Sequence, residues 1–143
     1  MAAVSAPPYM KPLHPVHAIL LAFPFPLFLA ALIGDFAYWQ TFHIQWANFS
    51  SWLIAGGLVG GGLAMLWALV GLFRYRGSGS SRPLIYFIVL LVMWVLGLIN
   101  AFVHARDAWA VMPEGLYLST VTTLLALVAS MIGYSGFRSR EAV

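Results

Sequence analysis

Asn100 and His104 stand four residues apart in a stretch that is otherwise apolar, with Gly97 one turn before them, so the three share one face of a helix. An imidazole in that setting can ligate the iron of a b-type haem or hydrogen-bond a quinone carbonyl, and His43 is the other histidine expected at the same end of the spans. His104, Asn100 and His43 are therefore the candidate cofactor-binding residues. Each has a plainer alternative. Asn100 can hydrogen-bond a backbone carbonyl left without a partner, and His104 can act as an interfacial hydrogen-bonding side chain.

Two further pairs carry charge or donor atoms. Asp35 and Arg106 are expected at the same end of two different spans, where a structural ion pair would cost less desolvation than one at the midplane, with proton transfer as the alternative role. His14 and His17 flank Pro15 three residues apart and offer two nitrogen donors to a metal, without a carboxylate or thiolate nearby to complete a site. No Ser-His-Asp set, phosphate-cradling glycine loop or well-spaced carboxylate pair is present, so no independent catalytic activity is expected. The chain has no cysteine, which excludes disulfides, thiolate zinc sites and covalent haem attachment.

The elements that must position these residues follow from the spacing of charge. Of 143 residues, 62% are hydrophobic and only 8% charged, against about 25% charged in a soluble domain. Residues 12–34, 36–73, 83–105 and 115–137 contain no Asp, Glu, Lys or Arg. A helix of roughly 20 residues crosses a hydrocarbon core about 30 Å thick, so each interval holds one span. The expected architecture is an all-α four-helix transmembrane bundle with spans at 15–39, 52–73, 83–106 and 115–137. These form one membrane domain, 13–137, between a flexible tail at 1–12 and a short tail at 138–143.

Proline and glycine add detail to this plan. Pro15 suits a helix start, whereas Pro24 and Pro26 each remove a backbone hydrogen bond and predict a kinked first helix. The aromatic segment 40–51 is expected to lie at the interface before the second helix. That helix is rich in glycine. Gly56-x-x-x-Gly60 and Gly57-x-x-x-Gly61 would let backbones approach closely, and Ser119 and Thr123 lie on a comparable small-residue stripe of the fourth helix.

Lys11, Arg74, Arg76, Arg82, Arg138 and Arg140 fall on one side of such a bundle and Arg106 alone on the other. The positive-inside rule then puts both termini in the cytoplasm. The same residues explain the net charge of +3 without a nucleic-acid partner, since no basic face is formed for phosphates.

The run from His17 through Phe23-Pro24-Phe25-Pro26 to Gly34-Asp35 resembles the opening of a bacterial membrane family, the domain of unknown function 2231. Trp46-Ala47, the stretch from Trp52 through Gly56-Gly57 to Gly71-Leu72, Asn100, Arg106-Asp107, Met112-Pro113 and Gly115-Leu-Tyr-Leu-Ser119 are similar to its later spans. Differences stand out at His17-Ala18 in place of His-Pro, at Arg74 in place of an acidic residue, and at Gly133-Tyr-Ser-Gly136-Phe near the end. The resemblance implies a four-helix integral membrane protein and, through members joined to Rieske or cytochrome-like modules, an electron-transfer neighbourhood.

Two functions are expected from different classes. The first is an accessory or anchor subunit of a respiratory or periplasmic redox system in the bacterial inner membrane, with a quinone or haem pocket at the outer face and a redox enzyme or cytochrome subunit as partner. The second is a non-redox structural or small-solute membrane protein that binds no cofactor.

Overall fold

The first span is two helices in series, α1 (Pro15–Leu21) and α2 (Pro24–Thr41), in a computed structural model that describes residues 13–74, 81–106 and 110–135. The break falls at Ala22 and Phe23, just before the prolines, because Pro24 and Pro26 bring no N–H to the ladder. The Phe23 N–H turns back to the Leu20 carbonyl at 3.4 Å, and the Tyr134 hydroxyl donates to the Ala18 carbonyl at 2.8 Å. Backbone polarity around the kink is thus met inside the protein, as lipid requires.

α2 ends at Phe42, which adopts the left-handed conformation at φ 54° and donates its N–H to the Tyr38 carbonyl at 2.8 Å. Only Phe42 and His43 separate it from α3 (Ile44–Arg74). The interfacial segment expected at 40–51 is therefore mostly helix, and α3 starts eight residues before the expected position 52. Trp46, Phe49 and Trp52 are exposed along its first turns. α4 (Arg82–His104) opens with Pro83 in its first turn, and α5 (Glu114–Tyr134) with an acidic residue that suits the positive end of the helix dipole. The tails at 1–12 and 138–143 and the glycine-serine run at 77–80 lie outside the described residues.

Four helices are long and apolar enough to cross a membrane, the first comprising α1 and α2 together. α2 and α4 each pack against both α3 and α5, which closes a ring of alternating direction. At its centre lies the ring of Phe28, fully enclosed. A Cβ on Gly57 would come within 2.8 to 3.1 Å of three Phe28 ring atoms, and one on Gly97 within 3.3 Å. Both glycines make the room that this ring occupies. Gly60 receives the backbone side of Phe23 at the kink, Gly61 receives Met93 and Pro24, and Gly56 faces Leu27. The glycine face of α3 is thus used for packing within the chain, by the close approach that replaces hydrophobic drive in lipid.

The outer surface is apolar, with Ile33, Phe36, Val59, Val70, Leu124 and Met131 exposed. Polar groups lie inside: Asp35, Ser50, Asn100, Ser119 and Thr122 are fully or almost fully buried. This distribution is the inverse of a soluble domain and matches lipid as the surrounding solvent.

Candidate functional site

Three helices deliver side chains to one cluster near the end of the bundle where α2 turns into α3. Asp35 comes from α2, Asn100 and His104 from α4, and Ser119 from α5. The Asp35 Oδ1 lies 2.8 Å from His104 Nε2, and Asp35 Oδ2 accepts a hydrogen bond from the Ser119 hydroxyl. Ser119 Oγ in turn accepts from Asn100 Nδ2 at 2.8 Å. His104 Nδ1 lies 3.0 Å from the carbonyl of Asn100, one helical turn before it in α4.

Donor and acceptor roles settle the proton inventory. A carbonyl oxygen has no hydrogen to give, so His104 Nδ1 carries one and donates it to Asn100. The contact between Nε2 and Oδ1 needs one further proton, held either by the imidazole or by the carboxyl group. In both arrangements Asp35 and His104 together carry no net charge. An isolated carboxylate at this depth would be costly, and the pairing removes that cost.

Neighbouring groups fix the geometry. Gly115 lies against the His104 ring, where a Cβ would stand 2.9 Å from Cε1, and buried Val111 closes the same side. Gly34, one residue before Asp35, sits against Ser50 of α3, whose hydroxyl donates to the Ala31 carbonyl at 2.9 Å. α3 thereby locks the turn of α2 that carries Asp35.

The sequence-derived candidates separate clearly in space. His104 and Asn100 come together, Asn100 bonding Ser119 and not a carbonyl freed by the prolines. His43 is exposed in the two-residue turn between α2 and α3. The expected ion pair needs correction, because the partner of Asp35 is His104. Arg106 lies exposed two residues past the end of α4. Thr123 belongs to the packing face of α5 and donates to the Ser119 carbonyl at 2.6 Å. Ser119 lies on the expected small-residue stripe, whose hydroxyls could bond across to another helix, and its specific place between Asp35 and Asn100 is the part that spacing alone missed. A usable signal was present, since Asp35 is the one carboxylate inside a span and Ser119 the first aliphatic hydroxyl of α5.

The second histidine pair occupies the opposite end. His14 Nδ1 accepts from the Val16 N–H at 3.3 Å as the cap of α1, whereas His17 is buried with Nε2 2.9 Å from the Tyr86 hydroxyl. Both rings lie near Trp67, at 4.9 and 6.0 Å between centroids. Among the described residues no group of three His, Cys, Asp or Glu side chains is placed to hold a metal.

The family described as predicted membrane protein (DUF2231) has a sequence model that matches residues 13–138, most of the chain, and the chain belongs to that family. No match emerges among curated proteins or among solved structures.

Proposed function

We propose that this member of the DUF2231 family serves as a cofactor-free helical scaffold or anchor in the bacterial inner membrane, with its polar side chains holding the spans together. One observation carries the reading: both ring nitrogens of His104 and both carboxylate oxygens of Asp35 are already engaged by partners within the chain. A haem iron at Nε2 would have to displace Asp35, and His43 is exposed in a turn, so the residues do not fit a bis-histidine haem. A quinone carbonyl fits no better. It needs a donor, whereas the atom of the cluster without a partner is an acceptor, Asn100 Oδ1.

The distribution of arginine supports cytoplasmic termini, with the Asp35–His104 end toward the outside. An absorption spectrum and solvent extraction of the full-length protein purified in detergent test the scaffold reading. The expected protein is colourless and free of quinone, and His104→Ala lowers its unfolding midpoint. A reducible Soret band that disappears in His104→Ala would overturn the proposal in favour of an electron-transfer subunit working with a cytochrome or redox enzyme.

A further inference from the structure

We propose that the Asp35–His104–Ser119–Asn100 cluster holds an internal water molecule on Asn100 Oδ1, admitted from one side of the membrane. Asn100 is completely buried, yet its carboxamide oxygen has no hydrogen-bond partner among the described residues. Leaving such an acceptor dry forfeits the hydrogen bonds it would make in water with nothing in return.

Among the described residues the neighbouring donors are all committed elsewhere. The Ser119 hydroxyl donates to Asp35, Thr123 to the Ser119 carbonyl, Thr122 to the Leu118 carbonyl, Ser50 to the Ala31 carbonyl, and His104 Nδ1 to the carbonyl of Asn100. Reversing the amide gives no relief. It would place an oxygen opposite Ser119 Oγ, whose single hydrogen belongs to Asp35, and would strand the NH2 group instead. With those donors committed, the partner that fits is a small hydrogen-bond donor, and water is the smallest that suits a buried polar position.

Position gives that water a role. Asn100 donates to Ser119 and Ser119 to Asp35, so the guest completes a run of hydrogen bonds that all point toward the carboxylate and fixes the amide in the orientation that supports it. The buried polar side chains toward this end are Asp35 on α2, Ser50 on α3, Asn100 and His104 on α4, and Ser119, Thr122 and Thr123 on α5, with exposed Glu114 beyond them. Toward the other end, Phe28, Ile54, Leu90 and Met93 form a buried apolar layer without a polar side chain. Water is thus admitted from the end that carries His104.

This inference concerns the same cluster as the scaffold reading and goes beyond it. Water-edited solid-state NMR on the full-length protein in lipid bilayers tests it, with unfolding stability measured separately so that the two readings can fail independently. Water cross-peaks are expected at the Asn100 side chain and the His104 ring, and none at Phe28 or Met93. Asn100 and His104 signals as dry as Met93 would overturn the hydrated site. Equal wetting of Met93 would overturn its one-sidedness.

Discussion

Asp35 and His104, 69 positions apart in the chain, meet at 2.8 Å across the interior between α2 and α4. These two helices lie on opposite sides of the ring, so the pair braces the bundle across its interior. Removing one partner strands the other inside the membrane. Asp35→Ala or His104→Ala is expected to lower stability by about 3 kcal/mol, the usual effect of breaking a buried pair. A double-mutant cycle read by denaturant unfolding in detergent should then show a coupling of about 1 kcal/mol. Strict additivity would refute a direct interaction.

Gly57 tests the central layer. A methyl group there meets a rigid aromatic ring, so Gly57→Ala is expected to destabilise the bundle by about 1–3 kcal/mol. Phe28→Leu in the same chain should recover part of the loss. Gly71, whose added Cβ would meet nothing within 4 Å, is the control: Gly71→Ala should leave stability unchanged or slightly raised. Equal losses at the two positions would count against the packing described.

Gly115→Ala acts on the site without touching its hydrogen-bonding atoms. The new methyl would press on His104 Cε1 and on Val111 Cγ1, each 2.9 Å away, and push the ring from Asp35. The expected result is a loss of about 1–3 kcal/mol together with a changed His104 ring nitrogen signal in NMR. An unmoved signal would show that the 111–115 turn does not support the ring.

The absence of cysteine makes single-cysteine labelling direct. His43→Cys is expected to react with a membrane-impermeant maleimide in intact cells, and Ser81→Cys only after the cells are opened. The reverse pattern would invert the proposed orientation.

The spans were readable because charge is excluded from lipid, and the intervals between charged residues mark where helices can cross. Helix ends were less readable. α3 begins at Ile44 because a left-handed Phe42 allows a two-residue turn, and nothing in the composition of residues 44–51 distinguishes an interfacial loop from a helix that continues past the interface. The inward face of Asn100 and His104 followed from their spacing. The partner of Asp35 did not: depth along a span made Arg106 the natural choice, whereas the azimuth of each helix in the ring decides contact and brings His104 to the carboxylate. Ser119 joined the network for the same reason.

The helices differ in length in a way that bears on the surrounding lipid. α3 has 31 residues and α5 has 21. At 1.5 Å per residue these correspond to about 46 Å and about 32 Å, against hydrocarbon about 30 Å thick. α5 is matched to an ordinary bilayer, and α3 is too long for it. The excess must project into the headgroups or lean over, so thickening the acyl chains should relax α3 while stretching α5, and thinning them should do the opposite. The protein thus carries two rulers of unequal length, and the membrane in which it rests with least distortion is set by the compromise between them.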